Sequence, residues 1–216
     1  MANPDIQAAK DSTYRRALTE AAEQVFATVG YAEAKVAEIC EAAGVSLATF
    51  YKVFQGKAEL HAAVHARRAE EVFLAAQAAL KPGATPFQLM LYGCSAYVRF
   101  QASHPNYLKL VLREGYTWAE PCGPEHSGQR QVWEQGLELA AQVLGEGVAR
   151  GELLPGSPRR HARLLVAITQ VILADWVADG MSRPADALTD DVLDTLVRAL
   201  ATEPARAAWL ASREIA

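Results

Sequence analysis

The chain is poor in cysteine. Its three residues of that type, Cys40, Cys94 and Cys122, are odd in number and widely spaced, which excludes a disulfide framework and a CxxC metal pair and fits a reducing cytoplasm. Enzyme signatures are missing too. There is no GxSxG, Walker loop, GxGxxG, paired-ligand metal motif or His-carboxylate pair at fixed spacing, so nothing in the sequence asks for catalysis, a cofactor or a bound metal. Strand-like alternation and internal repeats are absent, which leaves an all-α chain. Nor is there an excess of positive charge: a net charge of -4 and a pI near 5.8 argue against a protein that coats nucleic acid nonspecifically. The richest apolar run, Leu164 to Val177, is broken by Gln170 and Asp175 and is shorter than the ~20 residues of a membrane span. The opening MANPDIQAAKDSTYRR has no apolar h-region and reads as a short flexible arm. The expectation is a cytoplasmic protein with no membrane partner.

What the chain does have is material for a core, with 51% hydrophobic residues, and one informative stretch, VAEICEAAGVSLATFYKVFQGKAEL, from Val36 to Leu60. Val36, Ile39, Cys40 and Ala43 fall at helical spacing, Gly44 supplies the stop, and Ser46 can cap a short second helix through Tyr51. The pattern predicts helix, tight turn, helix, with the second helix free on its outer face. Phe50 and Phe54 suit the core, while Leu47, Ala48, Thr49, Tyr51 and Lys52 offer methyls, hydroxyls and a cation elsewhere around the helix. Such a mix can read base edges and hold phosphates. Gln55, Gly56 and Lys57 open the next helix, whose free amides, with the Lys57 ammonium, would attract a DNA phosphate. Through Leu60 there are six basic against eight acidic residues, so a DNA surface must come from sorting charge between faces.

A first helix is expected from about Ser12 to Val29, on the stripe Leu18, Ala21, Ala22, Val25, Phe26 and Val29, giving a three-helix DNA-binding domain over residues 1–56 with its flexible arm. Residues 57–216 then form a larger helical domain for ligand binding and dimerisation. Its helices are expected at Lys57–Leu80, Pro86–Ser103, Asn106–Gly115, Gln129–Arg150, Arg159–Asp179 and Asp186–Leu200, with a short one after Pro204. GYTWAEPCGPEHSG is the longest irregular stretch and a candidate lid.

The segment RLLVAITQVILADWV is apolar on nearly every side, and Val192, Leu193, Leu196, Val197 and Leu200 make a second amphipathic helix. Two readings follow. The pair is either the centre of one bundle or a two-fold four-helix interface, with Leu165, Ile168, Ile172, Trp176, Leu193, Leu196, Val197 and Leu200 at the contact. A DNA reader favours the homodimer, because two reading helices related by symmetry match a palindromic operator with ~34 Å between half-sites. Most aromatics of the second domain belong to its core. Cys94, Tyr97, Gln101, His104, Tyr107, Trp118, Trp133 and Gln170 are the candidates to line a cavity for a small, mainly apolar effector. His61 and His65 lie four apart, a spacing that can bind a metal. No third ligand follows at motif spacing and Glu70 and Glu71 are out of reach, so they read as a solvated or packed pair. Cys94 and Cys122 read as ordinary thiols.

The run from Ala17 to Leu60, with Phe26, Gly30, Tyr31, Ile39, Ala43, Gly44, Val45, Ser46, Thr49, Tyr51, Phe54, Lys57 and Leu60, resembles the tetracycline-repressor (TetR) family of bacterial transcriptional regulators. The resemblance implies an all-helical homodimer that binds double-stranded operator DNA, most often as a repressor released by a small molecule. It also implies that Tyr51 and Lys57 hold phosphates, that Thr49 contacts the backbone, and that Leu47, Ala48 and Lys52 face the bases. The chain departs from the family pattern at three places. Ala34 and Lys35 stand where hydroxyl residues open the second helix, leaving Lys35 to reach a phosphate itself. Ala48 stands at a position often held by Gly, and Val53 at an aromatic one. The competing classes are a helical protein-binding adaptor and an unrecognised helical enzyme, neither of which needs a small reading helix with a phosphate-ready flank.

Overall fold

The computed structural model describes residues 4–114 and 127–213. Among the described residues there are ten α-helices and no strand. They are α1 (Pro4–Val29), α2 (Val36–Ala43), α3 (Leu47–Val53), α4 (Lys57–Ala79), α5 (Pro86–Ser103), α6 (Pro105–Arg113), α7 (Ser127–Ala149), α8 (Pro158–Ala178), α9 (Ala185–Leu200) and α10 (Glu203–Arg213). Punctuation explains most ends. Thr85 and Gln88 form a capping box that opens α5, and Pro86, Pro105 and Pro158 sit where a missing N–H costs nothing. The largest difference from expectation is at the start of the chain. Helix α1 begins at Pro4 rather than near Ser12, so the expected arm is helical from there on. Gln7, Ala8, Ala9 and Lys10 are good helix formers, and a first-turn Pro is preset for helix.

Two apolar clusters organise the chain. One is built on α5, α7, α8 and α9, from residues such as Met90, Cys94, Leu144, Leu173, Val192 and Leu196. The other gathers Leu18, Phe26, Ile39, Phe50, Phe54, Leu60 and Val64 of the first four helices together with Phe100, Tyr107 and Leu110 of α5 and α6. The three-helix head therefore shares its core with the body, across the boundary expected at residue 56.

The structure corrects the reading of α9. Leu193, Leu196, Val197 and Leu200, with Trp176 of α8, are buried within their own chain. Trp176 Nε1 also donates to the Arg183 carbonyl at 2.9 Å. These five are core residues and cannot face a second copy while the fold is intact. Leu165, Ile168 and Ile172 are half-buried, and the apolar surface left open on α8 centres on Leu164 and Val171, which are 42% and 60% exposed. At 21 residues, α8 is by length and composition long and apolar enough to cross a membrane. That revises the expectation drawn from the shorter run, although α8 packs here between α7 and α9.

Candidate nucleic-acid interface

The turn between α2 and α3 is fixed by two local devices. Gly44 takes the left-handed conformation at φ 65, and the Val45 amide donates back to the Cys40 carbonyl at 2.9 Å, a helix stop that strains any residue with a Cβ. Two residues on, Ser46 caps α3 by accepting from the Thr49 amide at 3.1 Å, with the two hydroxyls 2.9 Å apart. Phe50 and Phe54 then anchor α3 in the core at 0% and 1% exposure. With that side fixed, Ser46, Leu47, Ala48, Tyr51 and Lys52 point to solvent and Thr49 is half-buried. Tyr51 is 60% exposed and held edge-on to Phe50, with ring centroids 5.0 Å apart. An exposed phenol braced by a buried ring is a poor core residue and a good hydrogen-bond donor to a phosphate.

Lys35 is exposed at the entry to α2, its ammonium 3.8 Å from Glu38. Such an open pair contributes little, so the Lys35 cation stays available.

Lys57 is differently engaged. Its ammonium donates to the carbonyls of Tyr31, Ala32 and Ala34 at 2.7, 3.0 and 3.0 Å and lies 4.6 Å from the centre of the Tyr31 ring. An ammonium has three N–H donors, and all three are used to close the turn between α1 and α2. The Gln55 amide, expected to be open to a phosphate, donates to Glu59 at 2.8 Å. Glu59 also pairs with Arg15, whose other nitrogen donates to the Val53 carbonyl and whose plane lies over Phe54. Arg15 and Glu59 are thus placed beside α3 without a sequence signal that sets them apart from other surface charges.

The residues expected around an effector are only partly brought together. Cys94, Tyr97 and Gln101 lie on one face of α5. Cys94 and Gln101 are buried, and the Gln101 Oε1 accepts no hydrogen bond among the described residues. Burial pushes the Cys94 thiol up to about 12, so it is unreactive near neutrality. Burial likewise raises the Tyr97 phenol, against a hydrogen bond with Gln101. His104 stacks on Phe100 with centroids 4.2 Å apart and is engaged with its own helix end. Tyr107 belongs to the other cluster and faces His65. Gln170 is half-buried on α8. Trp118, Cys122 and most of the expected lid lie outside the described residues, as does the Trp133 side chain. An open cleft of about 600 Å³ lies elsewhere, lined by Ala27, Thr28, Asn106, Lys109, Leu112, Arg113, Ala174, Val177 and Ala178, and contains none of these candidates.

His61 and His65 are buried and converge on Glu114, which closes α6. Burial alone would raise the Glu114 carboxyl, but its hydrogen bonds and attraction to the two histidines prevail and lower it to about 2.

Residues 18–64 match the profile of the bacterial regulatory proteins of the tetR family. Over that segment the chain is similar to the tetR-family regulators. The matched segment runs from the middle of α1 into α4 and contains every residue of α2 and α3. Solved structures share the fold over most of the chain. A bacterial regulatory protein of the tetR family from Rhodococcus RHA1 is 18% identical, covering 86% of this chain and 95% of its own, with a TM-score of 0.72. FadR from Bacillus subtilis, solved in complex with stearoyl-CoA, is 22% identical over 84% and 97%, with a TM-score of 0.70. The ketosteroid regulator KstR2 of Mycobacterium tuberculosis is 20% identical over 88% and 95%, with a TM-score of 0.65. No curated protein matches the chain by sequence.

Proposed function

We propose that this chain is a ligand-responsive repressor that binds a palindromic operator in the cytoplasm as a homodimer and is released by a small, mainly apolar effector. The observation that carries the DNA part is the outward row Leu47, Ala48, Tyr51 and Lys52 on a helix whose opposite side is locked by Phe50 and Phe54. A rigid short helix with methyls, a phenol and a cation outward presents groups for both bases and backbone. Residues 1–56 serve as the reading head and 57–216 as the ligand-binding and dimerisation part.

The homodimer is supported by the open α8 face, where Leu164, Ile168 and Val171 recur along one side. Pairing that face with a copy of itself covers it and sets two reading helices in two-fold relation. The effector reading rests on the α5 face with its unpartnered Gln101 Oε1 and on FadR having been solved with an acyl-CoA. A ligand that favours one arrangement of α4 alters the spacing of the reading heads, and by linkage operator DNA must weaken that ligand in return.

Gel shifts with the DNA upstream of the chain's own gene and of its neighbours test the reading. Sequence-specific retardation, relieved by a long-chain acyl-CoA or a comparable apolar ligand, is expected. Failure to retard any of these fragments at low salt would overturn it in favour of an adaptor.

A further inference from the structure

Three side chains that the DNA-binding role does not use meet at the junction of α4 and α6. His65 Nε2 lies 3.2 Å from His61 Nε2 and 3.1 Å from Glu114 Oε2, and His61 Nε2 closely approaches Glu114 Oε1. The three donor atoms all lie within 4.8 Å of one another. Ligands bound at 2.0–2.1 Å to a tetrahedral zinc ion are separated from each other by roughly 3.3 Å; the two His65 distances match that edge, and the closer His61–Glu114 pair would part to admit the ion. The side chains of His61, His65 and Glu114 are 7%, 8% and 8% exposed.

The same atoms that would meet an ion hydrogen-bond to one another. His65 Nε2 faces Glu114 Oε2 and His61 Nε2 faces Glu114 Oε1, so a buried carboxylate presents one oxygen to each ring nitrogen. The supporting residues are those a metal site needs. The Tyr107 hydroxyl lies 3.3 Å from His65 Nδ1, so that Nδ1–H can donate to it and leave the Nε2 lone pair facing inward. Tyr31 and Phe26 pack against His61 with centroids 4.5 and 5.4 Å away and keep the site apolar on that side.

We propose that His61, His65 and Glu114 bind one divalent transition-metal ion of the zinc class, with water as a fourth ligand. The two imidazoles are borderline nitrogen donors that suit such an ion better than calcium or magnesium, which take oxygen ligands, and the carboxylate is compatible with either. Two ligands come from the helix that leaves the reading head and the third from the end of α6, so the ion ties these helices together. The proposal is independent of the repressor reading and its test needs no DNA.

The full chain, stripped of metal by a chelator, is titrated with Co²⁺ and then with Zn²⁺. One Co²⁺ per chain with visible ligand-field bands of a four-coordinate nitrogen and oxygen site, displaced by Zn²⁺, is expected. Glu114→Gln and His65→Ala should each weaken binding by about 100-fold or more, and Tyr107→Phe by about 10-fold. No stoichiometric binding, or binding unchanged in Glu114→Gln and Tyr107→Phe, would overturn the proposal and leave a His-carboxylate clamp only. If a variant does not fold, the wild-type melting temperature decides, because binding to the native state must raise it in proportion to free Zn²⁺; an unmoved transition also overturns the site.

Discussion

Replacing Lys57 with Met separates two roles that the sequence alone cannot distinguish. A phosphate-binding lysine that is removed lowers the salt dependence of DNA binding by about 0.9 in log-log slope and leaves the fold untouched. A lysine that closes a turn does the reverse. Methionine keeps most of the apolar stem but leaves the carbonyls of Tyr31, Ala32 and Ala34 without their donor. The Ala32 carbonyl is exposed and water replaces the lost bond, whereas those of Tyr31 and Ala34 are partly buried. Losing charged bonds to two such groups, with water reaching one, costs about 2–3 kcal/mol, and loss of the cation from the Tyr31 ring adds about 0.5 kcal/mol. For a chain of this size each kcal/mol lowers Tm by about 2–4 °C, so a fall of about 5–14 °C is expected. Thermal unfolding by circular dichroism and operator titrations at several salt concentrations measure both quantities. A Tm within about 2 °C of wild type together with a slope reduced by about 0.9 would refute the structural role.

The same titrations distinguish Tyr51→Phe, expected to weaken all DNA sequences by about 2–10-fold without changing the slope because a neutral hydroxyl releases no counterion, from Lys52→Ala, expected to lower the slope by about 0.9 if the lysine meets a phosphate. Arg68 is buried on α4 and donates to Glu23 of α1 at 2.7 and 2.9 Å while also pairing with Glu71; Glu23→Ala leaves that cation to Glu71 alone and should cost about 2–3 kcal/mol in urea unfolding. Glu114 has its carboxyl lowered from 4.5 to about 2, so its contribution to stability is present above pH 4.5 and is lost as pH falls toward 2. That contribution is about 3 kcal/mol, and urea midpoints should fall over this window more in wild type than in Glu114→Gln. Val171→Glu on the open α8 face should convert the proposed dimer to monomer in sedimentation while leaving the helical spectrum unchanged; a dimer that survives places the interface elsewhere.

The helices and the reading motif were legible because their signals are local. Gly44, Ser46 and the Phe50–Phe54 pair act within one turn of where they stand, and most helix ends fell within one or two residues of punctuation. What was illegible depended on partners far along the chain. Nothing near His61 and His65 announces Glu114, which is 53 residues from His61, and Lys57 looks like any helix-opening cation until the carbonyls of Tyr31 to Ala34 curl around it. The stripe of Leu193, Leu196 and Val197 was legible as apolar, but a stripe reads the same whether its own chain or a copy covers it. Pro4 to Asp11 shows the opposite failure, where good local propensity continued a helix that no apolar stripe required.

The core shared between Phe26, Phe50 and Phe54 on one side and Leu60, Phe100, Tyr107 and Leu110 on the other makes the proposed reading head mechanically continuous with α6. Close-packed interiors are nearly incompressible, so a displacement of α6 is passed on to α1 instead of being absorbed by a soft linker. The head is then expected to melt together with the body in a single calorimetric transition, and a fragment cut at residue 56 would expose the side of its core that Leu60, Val64, Phe100, Tyr107 and Leu110 cover. Control of such a head requires no hinge of its own. In the proposed mechanism it would move as the terminal part of a stiff lever whose other arm reaches into the bundle.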